Sequence, residues 1–196
     1  MEYNINSFVE DYMKRTLNNL HLIASSSGGF EVTQLMNSLV GLVVLPIQFF
    51  KYDKYDEDAG LSETQMQELD PIAFKNIKDL YNNLVKSNRF KTNYHISVPV
   101  TFLIRHLRNS LCHIGENRVL FAGNGEELES IIFYDENTDE NKKVCFELTK
   151  AELDKLVNDI FLIYSKARTS RCYTEKKYKE LIDEKRKYMG NYERSY

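Results

Sequence analysis

Phe102-Leu-Ile-Arg-His-Leu-Arg-Asn-Ser-Leu-Cys-His-Ile114 is the stretch on which the reading of this chain turns. At 100° per residue, with Leu107 as origin, Leu103, Ile104, Leu107, Leu111 and Ile114 form one apolar stripe. Arg105, Cys112 and Asn109 fall opposite it, at about 160°, 140° and 200°, and Arg108 and His113 flank them at about 100° and 240°. The stretch therefore predicts a core-facing helix from about Val98 to Ile114. Ser97 is its expected N-cap and Pro99 lies in its first turn. Its polar ridge, rich in Arg and His, is expected to face away from the core.

The neighbours extend the helical pattern. Ile5 to Ala24 carries Ile5, Phe8, Val9, Tyr12, Met13, Leu17 and Leu20 at helical spacing, and Ser25–Gly29 stops it. Glu31 to about Val44 is apolar around most of its circumference and is expected to end at Pro46. Val32 to Phe50 is uncharged for 19 positions, but Gln34, Asn37, Ser38, Pro46 and Gln48 suit a buried core helix better than a bilayer span. Lys51–Asp70 reads as a charged loop with one helical turn at Ser62–Leu69. A third long helix is expected over Pro71–Asn88. The period then changes. Val119–Ala122, Ile131–Tyr134 and Val144–Leu148 are short β-branched or aromatic runs that predict a three-stranded meander. Thr149–Glu152 has the spacing of a capping box and opens a last long helix to about Ala167.

The chain has 196 residues, 42% hydrophobic and 28% charged, with a formal charge of −3. This excludes wholesale disorder, and eight Gly with three Pro exclude collagen-like and Pro-rich classes. Three widely spaced cysteines, Cys112, Cys145 and Cys172, argue against a disulfide framework or zinc ribbon. An early acid and no apolar run at the N-terminus argue against a signal peptide, so the cytoplasm is the expected compartment. From Lys166 to Tyr196, ten Lys/Arg oppose five Asp/Glu, so this tail is +5 and the remainder −8. The expected organisation is mainly α: a helical domain over residues 1–170 with a β-arm at about 119–148, and a basic, Tyr-rich extension over 171–196, helical near Thr174–Tyr188. The tail could contact nucleic-acid phosphates or be a solvated helix.

The chemistry of the central stretch is narrow. Arg offers a permanent bidentate cation for phosphate, His exchanges a proton near neutrality, and Asn can orient either. No carboxylate cluster accompanies them in the stretch, so no metal site is expected. The pattern fits metal-free cleavage of RNA: an imidazole takes the 2′-OH proton, the alkoxide attacks phosphorus, and a guanidinium stabilises the charge that builds up. Equally, Arg and His on an outer helix face can simply be solvated.

Arg108-Asn109-Ser110-Leu111-Cys112-His113 resembles the R-N-x-x-x-H signature of the HEPN superfamily. Arg15-Thr16-Leu17-Asn18-Asn19-Leu20 and the Phe30–Leu39 word FEVTQLMNSL resemble a prokaryotic, often plasmid-borne branch of it, and the resemblance spans roughly Met1–Ala167. It implies a HEPN-like helical bundle that dimerises with its motifs facing across a cleft. It also implies a metal-independent endoribonuclease of the toxin–antitoxin or anti-phage type, with RNA and an antitoxin protein as partners and no cofactor or membrane. On this pattern Arg108 contacts phosphate, His113 is the acid/base and Asn109 orients. Arg105, His106, Arg15 and Asn19 are candidates for the surrounding RNA surface, though Arg15 and Asn19 could equally cap neighbouring helices. Where some such toxins carry a modifiable Tyr two residues after the His, this chain has Gly115. The alternative is a HEPN binding or assembly module without catalysis, docking RNA, nucleotide or a partner protein.

Overall fold

The computed structural model describes residues 8–24, 31–51, 59–113, 117–123, 128–167, 183–184 and 186–187. The expected helix start at Ile5, Gly115 and most of the tail lie outside the described residues; positions 183, 184, 186 and 187 are helical.

The chain runs α1 (Phe8–Ala24), α2 (Glu31–Leu39), a π-helical turn (Val40–Val44), α3 (Leu45–Lys51), α4 (Glu63–Leu69), α5 (Pro71–Lys86), β1 (Phe90–Thr92), α6 (Pro99–Cys112), β2 (Val119–Gly123), β3 (Leu128–Asn137), β4 (Lys142–Thr149) and α7 (Lys150–Tyr164). It is mainly helical, with a small antiparallel sheet in the order β1-β4-β3-β2. Among the described residues the buried apolar side chains form one cluster, to which all the helices and strands contribute. No helix among the described residues is long and apolar enough to cross a membrane.

Pro46 does not end the second helix. The Leu45 N–H bonds to the carbonyl of Val40, five residues back, so the chain widens into a π turn immediately before the proline. A proline ring in a regular α-helix clashes with the carbonyl four residues earlier and leaves it without a donor. The wider turn moves those carbonyls aside and the helix continues through Pro46. The segment is buried by Leu35, Leu39, Leu42, Val43 and Ile47, as its uncharged composition required. Gly41 sits where α1 crosses most closely. A Cβ there would stand 2.8 Å from Tyr12 Cε1 and 3.1 Å from both Cγ2 and Oγ1 of Thr16.

The described part of the expected loop, from Ala59 on, contributes to the core, and the expected helical turn at Ser62–Leu69 is α4. Ala59, Leu61 and Met66 are buried, and α4 carries a capping box between Ser62 and Gln65. Asp70 caps α5 by accepting from the Ala73 N–H at 3.0 Å. That bond, with the 2.6 Å ion pair to Lys166, holds its carboxyl below the usual range. At the other end, Ser87 is the C-cap, Asn88 takes φ 62°, and the bonds Asn88 N–H to Val85 O (3.2 Å) and Arg89 N–H to Leu84 O (2.9 Å) close a Schellman motif.

One expectation for α6 is corrected here. Its N-cap is Val98, which makes no side-chain cap; Ser97 is not used. Glu63 of α4 caps the helix from outside, its Oε1 accepting from the N–H groups of Val100 (2.6 Å) and Thr101 (3.3 Å). A carboxylate reaching two open N–H groups gains both hydrogen bonds and the helix dipole, which a local hydroxyl cannot match.

The sheet gains a strand over the expected meander. β1 pairs with β4, so one inward-facing rung runs Phe90–Phe146–Phe133–Val119 across all four strands. Phe90 and Phe146 stack at 6.1 Å and Phe146 and Phe133 at 5.2 Å, while Tyr81 of α5 meets Phe90 edge-on at 5.1 Å. Three residues were too short to register as a strand from sequence. Their pairing partner, β4, is more than 50 residues away. Arg89, just before β1, makes a bidentate pair with Glu152 of α7, both bonds 2.7 Å. Glu152 also completes the Thr149 capping box.

Two outcomes follow for stability. Gly41→Ala crowds Tyr12 and Thr16 of α1 against the π turn and is expected to cost about 1–3 kcal/mol in urea unfolding. The Arg89 hydrogen bonds hold Glu152 at about 2, against an ordinary 4.5. A depressed carboxylate contributes stability that is complete above its unfolded pKa and is lost as pH falls through the folded one. Unfolding midpoints should therefore fall from pH 4.5 toward pH 2, and Arg89→Ala should remove much of that slope and about 1 kcal/mol at neutral pH.

Candidate functional site

Helix α6 carries the motif, and most of its polar ridge is not an outer face: only Cys112 and His113, at its end, are exposed as expected. Strand β3 packs on it. His106 is only 2% exposed and Ser110 is fully buried, while Arg105, Arg108 and Asn109 are half-buried. Ser110 Oγ donates 2.9 Å to the carbonyl of Tyr134 on β3 and lies 2.8 Å from that of His106 on its own helix. The helix is therefore enclosed on both sides: the apolar stripe against α5 and the π turn, the polar ridge against the sheet.

The centre of the polar side is a carboxylate that the motif did not include. Asp135, on β3, is the next inward-facing residue after Ile131 and Phe133 and is 6% exposed. Its Oδ2 lies 2.6 Å from His106 Nδ1 and accepts from Asn109 Nδ2 at 2.8 Å. Its Oδ1 accepts from Arg118 Nη1 at 2.7 Å. Burial pushes the Asp135 carboxyl up, but the bonds from His106 and Asn109 and the charge of Arg118 outweigh it and hold it below the ordinary carboxylate value. His106 Nε2 lies 3.0 Å from Arg105 Nη2. A guanidinium can only donate, so Nε2 is an acceptor and the ring hydrogen sits on Nδ1, toward Asp135. The imidazole packs 4.2 Å from the Phe102 ring and 5.3 Å from Tyr94, and the Arg105 guanidinium lies 5.2 Å over Phe102.

The motif residues occupy the last part of this helix. Arg108 is half-buried, and its charge reaches Tyr164 of α7. Burial pushes the Tyr164 phenol up, Arg108 acts in the opposite direction, and the Tyr164 hydroxyl donates to the Ala59 carbonyl. His113 is exposed and is the C-cap of α6, its N–H bonding to Asn109 O at 3.1 Å. Cys112 beside it is an exposed free thiol. Arg105 and His106 belong to the Asp135 network. The polar atoms of His106 are turned to Asp135 and Arg105 within the protein. Arg15 (half-buried) and Asn19 (exposed) stand on α1, which packs on α2, the π turn, α3 and α7.

Asp135, Arg118 and Tyr94 escaped the sequence reading. Asp135 had a signal: the alternation of Ile131, Phe133 and Asp135 puts an acid on the inward face of a strand. Such an acid needs donors from whatever covers that face. Arg118 and Tyr94 had none, since their positions depend on tertiary contacts. Among the described residues no three His, Cys, Asp or Glu side chains group as a metal site.

The chain is a helical bundle with a small antiparallel sheet, and it carries R-N-x-x-x-H at the end of one helix. A family model described as HEPN pEK499 p136 matches residues 1–171, and the chain belongs to that family. No curated protein and no solved structure gives a significant match.

Removing the central carboxylate takes away the acceptor that His106, Asn109 and Arg118 share and breaks a buried ion pair. Asp135→Ala should lower stability by about 3–5 kcal/mol in denaturant unfolding. Asp135→Asn, which keeps the shape and an acceptor, should cost markedly less.

Proposed function

We propose that this HEPN module is a metal-independent endoribonuclease in which Arg108, Asn109 and His113 act on an RNA phosphodiester at a cleft between two copies of the chain. The observation that carries the reading is the placement of the motif in a chain of this family. Arg108 and Asn109 are half-buried in the last turns of a helix braced by the sheet, and His113 stands exposed at its C-cap.

The chemistry follows from the residue types. His113 removes the 2′-OH proton, the alkoxide attacks the adjacent phosphorus, and the 5′-oxygen leaves with a proton from a second imidazole. The guanidinium of Arg108 stabilises the charge on the phosphoryl oxygens. The products are a 2′,3′-cyclic phosphate and a 5′-hydroxyl. Five residues along a helix turn the two side chains roughly 140° apart, so one subunit presents them in different directions. Two subunits related by a two-fold axis can bring an Arg of one and a His of the other to the same phosphate, and they supply both the base and the acid. Such an activity suits a toxin or anti-phage effector restrained by an antitoxin protein.

The test is cleavage of a generic single-stranded RNA in EDTA. Wild type is expected to give products ending in 2′,3′-cyclic phosphate, and Arg108→Ala and His113→Ala to lower the rate by on the order of 10²-fold or more. Expression of wild type should slow growth of a bacterial host, and either variant should relieve it. Equal background from all three proteins would leave the module as a non-catalytic binder of RNA, nucleotide or protein.

A further inference from the structure

The Asp135 network settles which way round the Asn109 amide is held, and that decides what Asn109 can recognise. A carboxylate oxygen accepts hydrogen bonds and does not donate them when ionised. The atom of Asn109 that lies 2.8 Å from Asp135 Oδ2 must therefore be the amide nitrogen, an assignment fixed by the partner and not by the shape of the side chain. The carbonyl oxygen, Oδ1, is what remains. Among the described residues none donates to it, and the side chain is half-buried. Asp135 cannot easily turn to release the amide. Its other oxygen is bound by Arg118 at 2.7 Å and the same Oδ2 is bound by His106 at 2.6 Å, with Phe102 and Tyr94 packed on the imidazole.

We infer that Asp135 is a positioning residue that locks Asn109 with its carbonyl oxygen outward, so that Asn109 reads a hydroxyl donor on the substrate, the ribose 2′-OH. This inference rests on the proposed RNA site and assigns the acceptor within it. An outward carbonyl oxygen repels a phosphate and cannot hydrogen-bond a deoxyribose, whereas the 2′-OH offers a donor. Phosphate contact is left to the arginines, and the distinction between ribose and other sugars falls to Asn109.

The experiment compares binding of two labelled single strands of one sequence, RNA and its 2′-fluoro analogue, by fluorescence anisotropy in EDTA. The 2′-fluoro sugar keeps the RNA-like pucker but donates no hydrogen bond. The full chain carrying His113→Ala is the parent, so that RNA is not consumed. The parent should bind RNA about tenfold more tightly than the analogue, the discrimination expected of one hydrogen bond between partly buried groups. Adding Asn109→Ala should bring the ratio near one, chiefly by weakening RNA binding. Adding Asp135→Asn should lower the ratio partway, because an amide at position 135 can hold Asn109 in either orientation. A loss of packing alone would weaken both ligands equally and leave the ratio unchanged. An unchanged ratio in Asn109→Ala, or no discrimination in the parent, overturns the inference. Discrimination that depends on Asn109 in a chain whose wild type cleaves nothing would uphold it while ending the nuclease proposal. No RNA binding by parent and wild type would overturn both.

Discussion

One buried carboxylate ties the sheet to the helix that carries the motif. Asp135 takes bonds from two side chains of α6 and from Arg118 just before β2, so three separate segments share one charge at 6% exposure. Burying a charge is unfavourable unless donors surround it, and here they do. The consequence is geometrical. The ridge of α6 that carries Arg105, His106 and Asn109 cannot slide along β3 without breaking bonds to a common centre. The end of the helix, with Arg108 and His113, is fixed with it.

The apolar side of the same junction supplies the bulk of the burial. The rung Phe90–Phe146–Phe133–Val119 presents a continuous face, and Phe102 of α6 meets Phe90 at 6.2 Å. Aromatic contacts then pass through Phe102 to Tyr94 and His106. The hydrophobic layer and the polar network are thus contiguous, and the imidazole of His106 belongs to both. Around this junction distant side chains cap helix ends or brace their local caps. Glu63 serves α6, Lys166 pairs with the cap of α5, and Arg89 reaches the capping box of α7. Each couples the end of one helix to a distant segment, which is how short elements are held in a small domain.

The second helix shows how a local rule can be obeyed and still mislead. Pro46 does disrupt regular α-geometry, and the disruption is the π turn at Val40–Val44. What the rule could not give is the response. Leu42, Val43 and Ile47 are buried on both sides of the irregularity, so continuing the helix keeps their burial and stopping it would forfeit that. Packing outweighed propensity.

Periodicity by itself determined the helices, the change to strands near Val119, the capping box at Thr149 and the placement of Arg108, Asn109 and His113 at the end of one helix. These are properties of neighbours in the chain, and residue spacing encodes them. Tertiary structure decided the rest. It added the three-residue strand β1, whose hydrogen bonds go to β4. It replaced Ser97 by Glu63 as the cap of α6. It turned the Arg105–Asn109 part of a ridge expected to face water into an interface with Asp135 and Arg118. In each case the deciding partner lies tens of residues away, and the energy gained by meeting it exceeds any local preference. An acid on a strand and an amide on a helix carry no record in the sequence of which one the other will face.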